Sequence, residues 1–99
     1  MAETTSKSLK VTFDNGHCAG HFPGHAIVPA AVQAQWLIRF ASDISPETSG
    51  WKIRQLKLLR ELQPGCDVDI SLAPTKLGFK GEVSDADGPY AQISLVRHD

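Results

Sequence analysis

Residues 21–37 read HFPGHAIVPAAVQAQWL, and this stretch decides the fold that the sequence predicts. Two histidines flank a Pro-Gly turn, and Pro29 precedes a run of mostly apolar residues. Proline suits the entry of a helix, and a helix that is apolar nearly all the way round is a buried one. The stretch therefore predicts a shaped loop that leads into a buried helix over about residues 30–43.

The remainder of the chain predicts a sheet. Residues 1–7 are polar and lack periodicity, which predicts a frayed terminus, and a first strand follows at about 8–14. After the helix, turns at Pro64-Gly65 and Asp87-Gly88-Pro89 separate four further predicted strands, at about 51–61, 66–74, 77–84 and 89–97. One strand, one apolar helix and a run of antiparallel strands indicate an α+β fold with the sheet wrapped over the helix.

Composition narrows the classes of function. The 99 residues, 41% of them hydrophobic, suit one compact domain, and neither a repeat nor a linker divides them. A net charge of −1 argues against a general nucleic-acid or membrane-surface protein. The sequence has no apolar run long enough for a membrane span and no signal-peptide pattern at its start, and its two cysteines lie in unrelated contexts. We expect a cytoplasmic protein whose partners are small molecules or other proteins.

The segment HFPGHAIVPAAVQ resembles the HFPG-x-P-[IV]-[MLV]-P-G-V segment of the 3-hydroxyacyl-acyl-carrier-protein dehydratases, which have the hotdog fold. Downstream, IRQLKLLRELQPGCDVDISL and FKGEVSDADGPYAQISL look like the strand-turn-strand and the closing hairpin of that family. The similarity spans roughly residues 11–97, and the short form looks closest to dehydratase-like proteins of aryl-polyene-type pathways. The resemblance implies a single hotdog domain over residues 1–99, an antiparallel sheet around one central apolar helix.

The resemblance also implies a mechanism and two catalytic positions. The histidine of HFPG, here His21, takes the α-proton of a 3-hydroxyacyl thioester, and a helix carboxylic acid fourteen residues later assists departure of the β-hydroxyl. In this sequence that later position is Gln35, whose amide can hydrogen-bond a hydroxyl but cannot give up a proton near neutral pH. The expected product is a trans-2-enoyl thioester. The phosphopantetheine arm of acyl carrier protein carries the substrate, and no other cofactor is expected.

Substrate contacts are expected where the loop enters the helix. The first turn of a helix presents unpaired amide donors and the positive end of the helix dipole, so Ala30 and Ala31 are the predicted oxyanion contact. The family usually has glycine where Ala30 stands, but the backbone N–H is retained. Phe22, Gly24 and His25 are expected to shape or rim the same pocket.

Two other groups of residues each allow more than one interpretation of their role. The segment HCAGHFPGH brings His17, Cys18, His21 and His25 close in sequence, but Pro23 and Gly24 prevent the continuous helix that would align them, so we expect no metal. Four of the ten basic residues lie in one predicted strand. They keep that strand solvated, or they dock an acidic acyl carrier protein. These four are Lys52, Arg54, Lys57 and Arg60.

Hotdog domains pair through strand edges, with the site at the junction, so the resemblance implies a homodimer or a heterodimer with another hotdog subunit. If the partner carries a carboxylate, a site built from His21 and that carboxylate would not need an acid at Gln35. Three functions follow: dehydration of carrier-bound chains in fatty-acid, polyene or pigment synthesis, a non-catalytic acyl-binding subunit, and an acyl thioesterase. The thioesterase needs a carboxylate, and Asp43 lies two turns beyond Gln35.

Overall fold

The computed structural model describes residues 4–11 and 28–97. These ranges form one antiparallel sheet in the order β1-β3-β4-β5-β2 and one helix. A single helix covered by a single sheet confirms the predicted α+β class. The elements are β1 (Thr5–Lys10), α1 (Ala30–Ile44), β2 (Trp51–Leu58), β3 (Asp67–Pro74), β4 (Gly78–Asp85) and β5 (Gly88–Arg97).

The helix α1 begins directly after Pro29, whose φ of −61° and ψ of 150° place it just outside the helix. It ends where the backbone N–H of Ser45 donates to the carbonyl oxygen of Ala41 at 2.9 Å. Its buried residues recur at the three- and four-residue spacing of one helix face. They are Gln33, Ala34, Leu37, Phe40 and Ala41.

The core lies between this helix face and one face of the sheet. Alternate residues of β3, β4 and β5 point toward α1, as the two-residue period of a strand requires. A Cβ atom on Gly81 would lie 3.1 Å from Cδ1 of Leu37, so the helix side chain packs closely over the sheet at this glycine. The sheet residues in this core are Val68, Ile70, Leu72, Phe79, Val83, Tyr90, Ile93 and Leu95.

Two predicted boundaries are wrong. β1 begins at Thr5, so residues 5–7 are not frayed, because β1 pairs with β3 over its whole length, from Thr5 opposite Leu72 to Lys10 opposite Asp67. Backbone pairing at a sheet edge does not require apolar side chains. The predicted strand 51–61 stops at Leu58, because the chain then turns to contact the start of β5.

Residues after Trp51 in β2 are all exposed, which distinguishes this edge strand from the half-buried strands β3, β4 and β5. α1, the one helix in the described ranges, lacks the length and apolar character needed to cross a membrane.

Candidate functional site

The loop predicted to carry the base lies outside the described residues. The predictions for His21, Phe22, Gly24 and His25 therefore stay predictions, as does the predicted absence of metal binding by the histidine-rich loop. Within residues 4–11 and 28–97, no group of three or more His, Cys, Asp and Glu side chains is placed to hold a metal ion.

The start of α1 offers free amide donors. The backbone N–H groups of Val32 and Gln33 donate to the carbonyl oxygen of Pro29, at 3.1 and 3.2 Å. The N–H groups of Ala30 and Ala31 have no acceptor among the described residues. Among the residues that the structure describes, no side chain caps this end, and the first turn holds no acidic residue that would neutralise the positive end of the helix dipole. An oxygen anion placed here would be stabilised.

The segment after β2 holds this helix start in place. The backbone N–H of Val28 donates to the carbonyl oxygen of Leu62 at 2.7 Å, and both residues are buried. Because Val28 lies two positions before the helix, this bond fixes where α1 enters the core. The position of the amides at Ala30 and Ala31 thus depends on residues that follow β2.

Gln35 lies on the exposed face of α1. It shares this face with Ala31 and Arg39, which are also exposed and lie one turn before and one turn after it. The Gln35 amide is therefore accessible from outside the chain and faces away from its core. A second chain or a ligand can reach it without any rearrangement of the sheet.

Gln33 is a buried polar residue that the sequence analysis did not single out. Its side chain is 0% exposed, its Nε2 donates to the carbonyl oxygen of Val28 at 3.3 Å, and its Oε1 is buried without a hydrogen-bond partner. An unpaired buried acceptor costs about 1–3 kcal/mol. The signal in the sequence was its spacing: Gln33 precedes Leu37 by four residues, on the apolar side of the helix.

Arg60 belongs to a cluster that joins the segment after β2 to the β4–β5 turn. Its guanidinium donates to the Asp85 carboxylate, to the carbonyl oxygen of Gly88 at 2.7 Å and to that of Pro89 at 3.4 Å. The same group stacks on the Tyr90 ring, with the guanidinium carbon 3.8 Å from the ring centroid. Arg60 thus has a structural role. Its part in carrier docking stays a prediction, and docking would compete with these hydrogen bonds for the guanidinium.

The Tyr90 hydroxyl donates a hydrogen bond to the Asp85 carboxylate and completes this cluster. The bond stabilises the carboxylate, which lowers the pKa of Asp85 below its usual 3.8. It also stabilises the neutral phenol and so raises the pKa of Tyr90 to about 12. Leu59 and Arg60 also donate backbone hydrogen bonds to the Tyr90 carbonyl oxygen, so the segment after β2 is bonded to β5 at this cluster.

A depression of about 270 Å³ lies on the outer face of the sheet. Lys80, Gln92 and Ser94 of its lining alternate with the core residues of β4 and β5, so these three face away from α1. It is therefore separate from the start of α1. It is lined by Gln55, Lys57, Thr75, Lys80, Gln92, Ile93 and Ser94.

Solved structures with the same fold include a chain of the dehydratase heterocomplex ApeI:P from Xenorhabdus doucetiae. It matches with a TM-score of 0.71 and 23% identity, over 98% of this chain and 90% of that chain. An uncharacterized protein from Erwinia carotovora subsp. atroseptica matches with a TM-score of 0.67 and 19% identity, over 95% of this chain and 83% of that chain. These likenesses confirm the predicted hotdog fold.

A comparison of the sequence with curated proteins gives no match. The model of the ApeI-like family, described as ApeI dehydratase, matches residues 2–92. This match covers nearly the whole chain and includes the segment from which the dehydratase resemblance was drawn. The chain belongs to the ApeI-like dehydratase family.

Proposed function

We propose that this protein dehydrates 3-hydroxyacyl thioesters to trans-2-enoyl thioesters, on substrates carried by the phosphopantetheine arm of acyl carrier protein. The reaction would serve fatty-acid, polyene or pigment synthesis. The observation that carries the proposal is membership of the ApeI-like dehydratase family over residues 2–92. The free amides at the start of α1 support it independently.

In the proposed reaction, His21 is the base. An imidazole with an ordinary pKa near 6.5 suits proton abstraction at neutral pH. As it takes the proton from C2, negative charge moves onto the thioester oxygen, where the amides of Ala30 and Ala31 stabilise it. The bond between C3 and the hydroxyl oxygen then breaks, the double bond forms between C2 and C3, and the hydroxyl leaves as water after gaining a proton.

The proton for the leaving hydroxyl comes, in this proposal, from a carboxylic acid of a second hotdog subunit. Gln35 orients the hydroxyl but does not protonate it, because an amide is not an acid near neutral pH. The exposure of Gln35 supports a site completed from outside this chain. The fold is also that of a chain in a complex described as a dehydratase heterocomplex.

A second candidate is a non-catalytic hotdog subunit that holds an acyl chain or completes a heterodimer. The amide at Gln35, where the resemblance to the dehydratases implies a carboxylic acid, favours it. Loss of general-acid assistance typically lowers a rate by about 10²–10⁴-fold. The two candidates therefore differ in whether this chain's own residues turn over substrate.

One assay separates the candidates. The chain is incubated with 3-hydroxyacyl-carrier thioesters, alone and with a hotdog partner, and enoyl product and free carrier thiol are both measured. Enoyl formation that His21→Ala abolishes supports the dehydratase. Enoyl formation that requires the partner and is unchanged by His21→Ala supports the non-catalytic subunit. Release of free thiol without enoyl product supports a thioesterase.

The oxyanion contact has its own test. In a structure with a non-hydrolysable acyl thioester analogue, the carbonyl oxygen is expected within hydrogen-bond distance of the amides of Ala30 and Ala31. A carbonyl oxygen bound far from the start of α1 would reject this part of the proposal.

A further inference from the structure

The side chain of Arg60 fastens the segment after β2 to the hairpin of β4 and β5. Its guanidinium donates to the Asp85 carboxylate and to the carbonyl oxygens of Gly88 and Pro89. The flat face of the same group stacks on the Tyr90 ring. Arginine suits this arrangement and lysine does not, because the guanidinium donors form a rigid planar fork that also stacks on aromatic rings.

The segment that Arg60 fastens runs over residues 59–66 and joins β2 to β3 without forming a strand or a helix. Backbone hydrogen bonds hold both of its ends. At the start, the N–H of Arg60 donates to the carbonyl oxygen of Tyr90 at 3.3 Å, and at the end the N–H of Gly65 donates to that of Val11 at 2.8 Å. The shape of the segment between these points depends on both attachments.

Between its two ends, this segment holds the start of α1. The carbonyl oxygen of Leu62, two positions after Arg60, accepts the hydrogen bond from the N–H of Val28 at 2.7 Å. Leu62 is 0% and Val28 1% exposed, so neither group can exchange this partner for water without leaving the core. A displacement of Leu62 would therefore pass through Val28 to the amides of Ala30 and Ala31.

We infer that Arg60 is a positioning residue for the proposed reaction, because it fixes the Leu62 carbonyl and thereby sets where the amides of Ala30 and Ala31 meet the thioester oxygen. The inference rests on the proposed function for the reaction that these amides assist. A misplacement of about 1 Å can lower a rate by about 10²-fold. This role depends on the fork and the stacked face of the guanidinium, whereas docking of an acidic carrier protein depends on its positive charge.

The variant Arg60→Lys separates the two roles, since it keeps the charge and loses the fork and the stacked face. Enoyl formation is measured, with the same hotdog partner throughout, on a 3-hydroxyacyl-carrier thioester and on the N-acetylcysteamine thioester of the same acyl chain, which has no carrier protein. We expect kcat on the first substrate and kcat/KM on the second to fall on the order of tenfold, with KM for the carrier substrate little changed. A loss confined to the carrier substrate, a change in KM alone, or an unchanged rate would each overturn the inference.

The variant Arg97→Lys is the matched control. Arg97 also lies over an aromatic ring, with its guanidinium carbon 5.9 Å from the centroid of the Trp51 ring, but at the opposite end of β5 from Arg60. It is expected to retain the wild-type rate on both substrates. Circular dichroism confirms that each variant is folded. An equal loss in Arg97→Lys would show that the rate follows general stability, which would also overturn the inference.

Amide hydrogen exchange, followed by nuclear magnetic resonance, tests the positioning without substrate. The Val28 amide is expected to exchange on the order of tenfold faster in Arg60→Lys than in wild type, while the amides of the central strand β4 keep their rates, because the change is a local opening. An unchanged Val28 rate would overturn the inference whatever the activity. If wild type forms no enoyl product, the proposed function fails, and faster exchange at Val28 would still show that Arg60 holds the start of α1.

Discussion

Gln33 and Gln35 lie two residues apart on α1 and face opposite sides of it. Gln33 is completely buried against the core, with its Nε2 bonded to Val28 and its Oε1 unpaired, whereas Gln35 is exposed. A glutamine side chain is thus part of the packed core at position 33 and accessible to solvent at position 35. Changing each to a carboxylic acid should have opposite consequences, which makes them a natural matched pair.

In the chain assayed without a hotdog partner, where no partner carboxylic acid can protonate the leaving hydroxyl, replacing Gln35 by Glu is expected to raise the rate of dehydration by about 10²-fold or more, because it supplies a carboxyl group on the accessible face. The free energy of unfolding should change by less than about 0.5 kcal/mol, since the side chain is exposed. Enoyl product measured per unit time checks the first expectation. The control Gln35→Met cannot donate a proton and should give no gain. If Gln35→Glu also gives none, the non-catalytic subunit becomes the better explanation.

Replacing Gln33 by Glu is expected to destabilise the protein by about 3 kcal/mol at neutral pH, because it buries an unpaired charge. Gln33→Met, which keeps the volume and removes the charge, should cost less than about 1.5 kcal/mol. Denaturant unfolding of the two variants measures the difference.

The cost of Gln33→Glu should also depend on pH. Burial raises the folded-state pKa of the introduced carboxyl above its unfolded value near 4.3, so the folded state holds the proton more tightly. The cost is therefore smallest below about pH 4 and grows as the pH rises above it. A cost equal to that of Gln33→Met at every pH would show that the side chain at position 33 reaches solvent.

The single tyrosine of the chain allows a direct test of the Asp85–Tyr90 hydrogen bond. Absorbance of the phenolate should give a titration midpoint near a pKa of about 12 for Tyr90, against an ordinary 10.0. Asp85→Asn should move the midpoint toward 10.0. Asp87→Asn removes a nearby carboxylate that does not bond the phenol and should shift it much less. A wild-type midpoint near 10.0, in protein shown to be folded, would contradict the bond.

The same pair predicts how stability varies with pH. The folded-state pKa of Tyr90 is raised, so the contribution of Tyr90 to the free energy of unfolding is complete below pH 10.0. That contribution is lost as the pH rises toward about 12. The folded-state pKa of Asp85 is lowered, so the contribution of Asp85 to the free energy of unfolding is complete above pH 3.8. That contribution is lost as the pH falls below that value. The stability difference between wild type and Asp85→Asn should therefore be largest between these limits. If the difference in the free energy of unfolding between wild type and Asp85→Asn stays the same at high and at low pH, the hydrogen bond between Asp85 and Tyr90 is contradicted.

Gly81→Ala is expected to destabilise the protein by about 1–3 kcal/mol, because its added methyl group would press on a packed core. That methyl group would lie 2.9 Å from Cγ2 of Ile93 and 3.1 Å from Cδ1 of Leu37. Gly50→Ala is the matched control, since nothing lies within 4 Å of its added methyl group. Thermal unfolding compares the two. Equal effects would mean that α1 does not approach the sheet at Gly81 as described.

Periodicity and turn chemistry were enough to predict most of this fold. The apolar run after Pro29 gave α1 to within one residue, and the alternation of β3, β4 and β5 gave strands close to those observed. β1 was harder, because Thr5, Ser6 and Lys7 lie in a strand held by backbone bonds to β3 that leave no hydrophobic pattern. The predicted strand through residue 61 ended early for a similar reason, a contact with Tyr90 that is distant in sequence.

The site was less predictable than the fold. The HFPG segment pointed to His21 and Gln35 through a family resemblance, and spacing pointed to the amides of Ala30 and Ala31. The burial of Gln33 depends on how α1 rotates against the sheet, and the cluster of Arg60 with Asp85 depends on a contact across 25 positions. Neither contact follows from local sequence, which predicts for Arg60 only a place among the basic residues of a strand over residues 51–61.

The most direct test is conversion of a 3-hydroxyacyl-carrier thioester by wild type and by His21→Ala, each with the same hotdog partner, with loss of water followed by mass spectrometry. Wild type is expected to form the enoyl thioester, and His21→Ala to be slower by at least about 10²-fold. His17→Ala changes a histidine of the same sequence segment that has no assigned part in the site, and it should retain most of the rate. Undiminished turnover by His21→Ala would show that the proton at C2 is taken by another group.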